Sequence, residues 1–132
     1  MKATILLEPV AKGRARVFRR GDHVGSYTPA KTKNAEQMIV YALRQELTTA
    51  SQFDKATPLR LEVTFYRSRP KSAPKKVTMP VTRPDLDNYL KLILDAISGY
   101  LCPDDSQVTT ILAKKRFTED VPRIELALEK DE

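Results

Sequence analysis

The spacing of apolar residues divides the chain into predicted strands and helices. Apolar side chains at every second position of residues 59–66 (LRLEVTFY) predict a half-buried strand. Helical spacing predicts one helix over residues 28–49, starting at Thr28-Pro29, and a second over residues 85–98 that stops at Gly99. The other predicted strands are residues 2–8, two short pieces of 16–27 on either side of Gly21-Asp22, and residues 108–117 and 123–128.

This order of elements predicts an α/β (α+β) fold in which two main helices pack on a small mixed β-sheet, in the order β, hairpin, α, β, α, β, β. With 132 residues, the chain is expected to form one domain over residues 1–132. Segment 67–83 (RSRPKSAPKKVTMPVTR) is predicted to be a loop because it is rich in proline and cations. The apolar residues expected to face the core are Ala35, Met38, Ile39, Ala42, Leu43 and Leu47 in the first helix, and Leu86, Leu90, Ile93, Leu94 and Ile97 in the second.

Composition excludes several classes of protein. Hydrophobic residues make up 41% of the chain and charged residues 30%, which is typical of a folded globular domain rather than a disordered one. No apolar run approaches the roughly 18 residues of a membrane helix, so no membrane partner is expected. The sequence has no GxxxxGK(S/T) loop, which argues against a nucleotide cofactor.

Cysteine and histidine are each present once, which limits the chemistry available. Cys102 cannot form an internal disulfide, so a reducing cytoplasm is the expected compartment, and the thiol is expected to be a small packing group. His23 alone cannot build a multi-histidine metal site within the chain.

The net charge is +6 and the sequence pI is about 9.5. A small basic domain favours a nucleic-acid partner, because a dense positive field attracts phosphates. The alternative is a mildly basic surface that only keeps the protein in solution. Charge alone leaves both interpretations open.

Two pairs of carboxylates stand out against this basic background. Asp85 and Asp87 open the second helix (RPDLDNYLKLILDAI), and Asp104-Asp105 follow it within one short loop. A purely structural interpretation makes Asp85 the helix cap and makes Asp87, Lys91 and Asp95, spaced four apart, a surface ladder of ion pairs. That interpretation does not account for Asp104-Asp105, which should return near an end of the same helix or of the sheet.

A functional interpretation has three or four of these carboxylates converging. Crowded like charges raise one another's pKa values unless a cation neutralises them. Oxygen ligands without histidine or cysteine select Mg²⁺, or Mn²⁺ in its place. Such an ion takes phosphate oxygens as further ligands and can activate water for attack on a phosphodiester. Lys91, one turn after Asp87, could then steady a phosphate or the attacking water.

RPDLDNYLKLILDAI followed by PDDSQV resembles the RusA family of Holliday junction resolvases, whose pattern is a (K/R)PDxDNxxK helix start with a downstream DDSQ. The segments PVAKGRARV and YTPAKT are similar to the family's opening segments. The resemblance implies a homodimeric, Mg²⁺-dependent endonuclease that cuts branched DNA, such as four-way junctions, in paired symmetric nicks. It implies that Asp85, Asp87 and Asp105 are the catalytic metal-binding aspartates, that Asp104 supports them at the site, and that Lys91 is the active-site lysine.

Two cationic segments are predicted to contact DNA phosphates and to make binding fall steeply with salt. The alternative is that they are solvated loops. Their members are Lys12, Arg14, Arg16, Arg19 and Arg20 near the N-terminus, and Arg67, Arg69, Lys71, Lys75, Lys76 and Arg83 before the acidic helix.

The leading hypothesis is therefore a metal-dependent, structure-selective DNA endonuclease acting in recombination and repair. The main alternative is a non-catalytic nucleic-acid-binding module whose acidic residues only cap and solubilise. A third hypothesis is a metal-dependent hydrolase of small phosphate esters, which would need a deep pocket.

Overall fold

The computed structural model describes residues 1–12, 16–27, 30–47 and 53–132. Within these ranges the chain forms six strands, two α-helices and one short 3₁₀ turn. In chain order they are β1 (Lys2–Ile5), β2 (Arg16–Arg20), β3 (His23–Tyr27), α1 (Ala30–Glu46), β4 (Leu59–Ser68), α2 (Leu86–Ile97), the 3₁₀ turn (Asp105–Gln107), β5 (Val108–Thr118) and β6 (Arg123–Lys130).

The main sheet has four strands in the order β1-β6-β4-β5. β4 pairs with β5 in parallel, and β6 pairs antiparallel with both β4 and β1. The parallel pair follows from the connection through α2, since parallel neighbours need a crossover that returns the chain to the same end of the sheet. β2 and β3 form a separate two-stranded sheet. The mixed α+β class and the order of elements are confirmed.

The turn between β2 and β3 lies at Gly21-Asp22, as predicted, and Gly21 has a φ of 59°, which glycine adopts without strain. Gly99 has a φ of 85° just after α2, in the left-handed conformation that commonly ends a helix. The predicted start of α1 at Thr28-Pro29 lies outside the described residues, and α1 ends at Glu46, three residues before the predicted end at Thr49. β1 ends at Ile5, three residues before the predicted boundary.

The core lies between the main sheet and the helices. Leu59, Leu61, Val63 and Phe65 alternate along β4 and are all buried, which confirms the predicted half-buried strand. The ring of Phe65 stacks on that of Tyr89 in α2, with 5.2 Å between ring centroids. This contact fixes the N-terminal half of α2 on the sheet.

The predicted apolar stripe of α2 is partly wrong. Ile93 and Ile97 are buried as expected, but the other buried residues are Tyr89, Leu92 and Ala96. Three predicted members, Leu86, Leu90 and Leu94, are only partly buried. The reason is that α2 contacts both the sheet and α1, so apolar residues cover more than one side of the helix. In α1, Met38 was expected in the core but its side chain is 55% exposed.

Segment 69–85, all of it described, contains neither helix nor strand, which confirms most of the predicted proline-rich loop, but its first two residues, Arg67 and Ser68, lie in β4. Cys102 is buried and makes no disulfide, as expected for a packing residue. Within the described residues, no helix has both the length and the apolar character needed to cross a membrane.

Candidate functional site

The first pair of carboxylates lies at the start of α2. Asp85 occupies the N-cap position, and its backbone carbonyl accepts hydrogen bonds from the amides of Asn88 (3.1 Å) and Tyr89 (3.3 Å). The Asp85 side chain makes no capping hydrogen bond, and the side chains of Asp85 and Asp87 are both exposed. The structural interpretation in which the Asp85 carboxylate caps the helix is therefore wrong.

The predicted ladder of ion pairs along α2 is also wrong. Asp95 pairs with Lys12 from the N-terminal segment, not with Lys91. Within the described residues, Asp87 and Lys91 take part in no ion pair, and the Lys91 side chain is exposed. Within the described part of the chain, the carboxylates of Asp85 and Asp87 and the ammonium of Lys91 are therefore not engaged in ion pairs that stabilise the fold.

The second pair of carboxylates lies near an end of α2, as predicted, but at the end opposite Asp85 and Asp87 rather than beside them. The helix ends in a tight loop in which the Gly99 amide donates to the Cys102 carbonyl at 2.7 Å. The amide of Asp105 then donates to the Ser98 hydroxyl at 3.3 Å. Ser98 is the C-cap residue of α2, so Asp104-Asp105 lie beside the C-terminal end of the helix.

Gln107 holds this acidic loop in place. Its amide nitrogen donates to the carbonyls of Asp54 (2.5 Å) and Thr57 (3.1 Å), and its side-chain oxygen accepts from the Asp104 amide at 3.1 Å. The residue is only 8% exposed, so these hydrogen bonds satisfy a buried amide. The sequence reasoning used the glutamine only as part of the DDSQ motif and missed this role, although Asp and Gln three residues apart match a capping-box spacing.

Asp104 and Asp105 influence each other's protonation. Burial raises the pKa of Asp105, and the hydrogen bond that its protonated carboxyl donates to Asp104, the charge of Asp104 and the charge of Asp95 raise it further. The Ser106 hydroxyl donates to the Asp104 carboxylate at 2.8 Å, and this hydrogen bond, followed by the one with Asp105, lowers the pKa of Asp104. The two adjacent carboxyls therefore resist carrying two full negative charges, which a cation would relieve.

Cys102 lies near this pair, and burial, followed by the charges of Asp105 and Asp104, raises the pKa of its thiol. The neutral thiol is therefore favoured, and nucleophilic chemistry is not.

The structure does not bring all four predicted metal ligands together within one chain. Asp85 and Asp87 precede or open α2, whereas Asp104 and Asp105 follow it, and a helix of 12 residues is about 18 Å long. Among the described residues, no group of three or more His, Cys, Asp or Glu side chains is close enough to hold a metal ion. The donor chemistry nevertheless fits Mg²⁺, because every predicted ligand is a carboxylate oxygen and one pair is under mutual repulsion. The ligand set stays a prediction.

The loop that precedes Asp85 is held by two cations from the sheet. Lys115 of β5 donates to the carbonyls of Thr82 and Pro84, each at 3.0 Å. Arg67 of β4 donates to the Arg83 carbonyl at 3.1 Å. Arg67 was predicted to contact phosphates, and Lys115 was not singled out by the sequence. The only signal for Lys115 in the sequence is its position on the core-facing side of a predicted strand, where a lysine is expected to bond to groups of the protein itself.

The remaining predicted DNA-binding residues differ in their surroundings. Arg69 donates to the carbonyls of Pro74 and Val77, both at 2.6 Å, so its guanidinium braces the proline-rich loop. Arg14 and the side chain of Arg16 lie outside the described part of the structure. The predicted residues with exposed side chains are Arg19, Arg20, Lys71, Lys75, Lys76 and Arg83.

The fold and the charge distribution together define a small basic α+β protein in which exposed carboxylates follow a cationic loop. A family profile described as Endodeoxyribonuclease RusA matches residues 7–129, nearly the whole chain. The chain therefore belongs to the RusA endodeoxyribonuclease family, and the resemblance drawn from its motifs is confirmed. Membership implies nuclease activity on DNA.

The chain is also 34% identical over 142 aligned residues to a protein of Bacillus subtilis (strain 168) described as "Uncharacterized protein YqaN". The alignment covers 97% of this chain and 94% of that protein, so the similarity extends over both chains.

Proposed function

We propose that this protein is a metal-dependent, structure-selective endodeoxyribonuclease that resolves Holliday junctions and other branched DNA by paired symmetric nicks. The observation that carries the proposal is the start of α2, in a chain of the RusA family. Asp85 and Asp87 expose carboxylates that neither cap the helix nor form ion pairs within the described residues. Two exposed carboxylates that form no ion pair with the described residues have no evident role in folding, but beside a cationic loop they suit a site for a cation and a phosphate.

The proposed cofactor is Mg²⁺, with Mn²⁺ as a substitute. Asp85, Asp87 and Asp105 would hold the ion, with Asp104 in support. When bound, the ion would supply an activated water and stabilise negative charge on the scissile phosphate. Lys91 is exposed one turn after Asp87 and would orient a phosphate oxygen through its ammonium.

The proposed assembly is a homodimer. The two pairs of carboxylates lie at opposite ends of α2, a helix about 18 Å long, whereas Mg²⁺ binds oxygen at about 2.1 Å. One ion can therefore be shared by both pairs only if a second protomer contributes one of them. A twofold dimer also suits the substrate, because two symmetric nicks require two sites related by the same symmetry.

DNA would be bound by the exposed cations of the hairpin and of the proline-rich loop. Arg19 and Arg20 lie at the end of β2, and Arg83 is two residues before Asp85. Their exposed charges can meet phosphates, which would give binding that weakens as salt rises. A DNA substrate makes the cytoplasm the proposed site of action, in recombination and repair.

The proposal is tested by incubating a labelled four-way junction with the protein and Mg²⁺, with EDTA in a parallel reaction and a linear duplex of the same arms as the substrate control. The expected result is a pair of symmetric nicks in the junction that requires the metal, and little cutting of the linear duplex. Junction binding without nicking, by protein shown to be folded, would favour the non-catalytic binding module. Faster hydrolysis of a small phosphodiester than of the junction would favour the phosphate-ester hydrolase.

A further inference from the structure

Three successive carbonyl groups before Asp85 each accept a hydrogen bond from a cationic side chain of the sheet. Lys115 donates to Thr82 and to Pro84, both at 3.0 Å, and Arg67 donates to Arg83 at 3.1 Å. Hydrogen bonds from a charged donor are roughly twice as strong as those between neutral groups. The backbone that leads into Asp85 is therefore held by side chains of β4 and β5.

The two cations reach this loop because of strand register. Phe65 pairs with Lys115, and Arg67 pairs with Phe117, in the parallel β4–β5 ladder. Phe65 is buried against Tyr89 of α2, so alternation along both strands directs Lys115 and Arg67 to the face that carries α2. Lys115 is half-buried there, whereas its neighbour Lys114 is exposed and lies on the opposite face.

Stability of the helix does not explain a lysine at this position. The N-terminus of a helix carries partial positive charge, and a cation near it is unfavourable. A lysine that donates to Pro84, the residue before the N-cap of α2, therefore opposes the helix dipole. Its benefit lies in holding the loop that leads into Asp85.

We infer that Lys115 is a positioning residue that acts through the carbonyls of Thr82 and Pro84 to fix the direction of the Asp85 carboxylate, with Arg67 assisting through Arg83. This inference rests on the proposed function in so far as Asp85 is taken to hold a metal ion. Removing a residue that orients a metal ligand without contacting the metal typically lowers metal affinity or activity by about 10–100-fold.

The test compares Lys115→Met with Lys115→Arg and with Lys114→Met, the matched exposed lysine one position away. Two measurements need no cleavage: hydrogen exchange of the amides of residues 82–88 in the metal-free protein, and binding of Mn²⁺ alone followed by electron paramagnetic resonance. Lys115→Met is expected to speed exchange of these amides and to weaken Mn²⁺ binding about 10–100-fold. Lys115→Arg should recover part of both effects because it keeps a charged donor, and Lys114→Met should change neither.

The inference would be overturned if Lys115→Met and Lys114→Met had the same amide exchange rates and the same affinity for Mn²⁺. It would also be overturned if Lys115→Met weakened metal-free junction binding while Mn²⁺ binding stayed intact, since Lys115 would then be a direct phosphate contact. If Lys115→Met does not fold, Arg67→Gln removes the donor to Arg83 and is expected to shift both measurements in the same direction by less. Wild-type protein that fails to cut junctions while these effects persist would refute the proposed function and leave the positioning role of Lys115 intact.

Discussion

Lys12 and Asp95 form an ion pair between the N-terminal segment and α2. The Lys12 amide also donates to the Asn88 carbonyl at 3.0 Å, so the segment is attached to the helix at two points. About a third of each charged side chain is exposed, 33% for Lys12 and 32% for Asp95. The sequence pattern suggested that Lys12 contacts DNA and that Asp95 pairs with Lys91. The structure instead gives each of them the other as its partner.

We predict that the cations of the hairpin and Lys12 contribute differently to the salt dependence of junction binding. The logarithm of the binding constant falls linearly with the logarithm of the salt concentration, and removing one cation that contacts a phosphate of duplex DNA makes this slope less steep by about 0.9. The double variant Arg19→Gln/Arg20→Gln should therefore make the slope less steep by about 1.8. Lys12→Met should flatten it by much less, because Asp95 already balances the Lys12 charge. The measurement is a series of binding titrations from low to high salt in EDTA. A decrease of about 0.9 for Lys12→Met would mean that Lys12 leaves Asp95 to bind phosphate.

We predict that Asp85→Asn, Asp87→Asn and Asp105→Asn each abolish cleavage and keep junction binding. Asparagine preserves the shape of the side chain but removes the charge that a divalent cation requires. The measurement is single-turnover cleavage of a labelled junction, with gel-shift binding of the same samples. Asp120→Asn is the control, because Asp120 is exposed in the β5–β6 turn and remote in sequence from the acidic motifs. Full activity in any of the three variants would remove that residue from the ligand set.

We predict that Gln107→Leu destabilises the protein and also slows cleavage. The substitution leaves the carbonyls of Asp54 and Thr57 and the amide of Asp104 without their partner. Leaving buried polar groups unsatisfied costs about 1–3 kcal/mol each, less where water can reach them. Urea unfolding measures the loss of stability, and Gln45→Leu on the exposed surface of α1 serves as the control. Equal unfolding midpoints for the two variants would show that Gln107 does not hold the acidic loop.

The protonation of Asp105 leads to a prediction about pH. Its pKa in the folded protein is raised above the ordinary value of 3.8, chiefly by burial, so the folded state holds this proton more tightly than the unfolded state. The contribution of Asp105 to wild-type stability should therefore fall as pH rises from about 3.8 through its folded-state pKa. Asp105→Asn does not show this decrease, and its amide can still donate to Asp104.

The stability of Asp105→Asn relative to wild type should thus increase between pH 3 and pH 7 in metal-free buffer, measured by urea unfolding at each pH. The opposite trend would mean that the Asp105 carboxylate is stabilised rather than strained by its surroundings. Added Mg²⁺ should stabilise the wild type more than the variant, because only the wild type has the charge to bind it.

Much of the fold followed from local patterns in the sequence. The alternation in β4, the turn at Gly21 and the stop at Gly99 depend on neighbouring residues, and each was predicted. The face of α2 that packs on the core was predicted less well, because Tyr89 is buried by a ring on β4 that lies more than twenty positions earlier in the chain. Helical spacing shows that a helix is amphipathic, but it does not show how many neighbours the helix has.

In the candidate site, too, features encoded by local sequence were predicted and features that depend on tertiary contacts were not. The acidic residues were found from spacing and motif, and Asp105 was correctly expected near an end of α2. The structural roles of the residues that hold the site were not predicted. Lys115, Gln107 and Lys12 act through tertiary contacts with carbonyls or charges on other elements. The sequence alone does not distinguish a lysine or arginine that binds a DNA phosphate from one that donates to a backbone carbonyl of the protein.

The central physical claim is that Asp85 and Asp87 of one protomer hold a divalent cation together with Asp105 of a second protomer. A crystal structure of the wild-type protein soaked in Mn²⁺, with anomalous data collected at the manganese edge, tests this claim most directly. We expect a manganese peak bounded by the carboxylates of Asp85, Asp87 and Asp105. Well-ordered carboxylates that point into solvent without any manganese peak, both within a protomer and at every protomer interface, would contradict the claim.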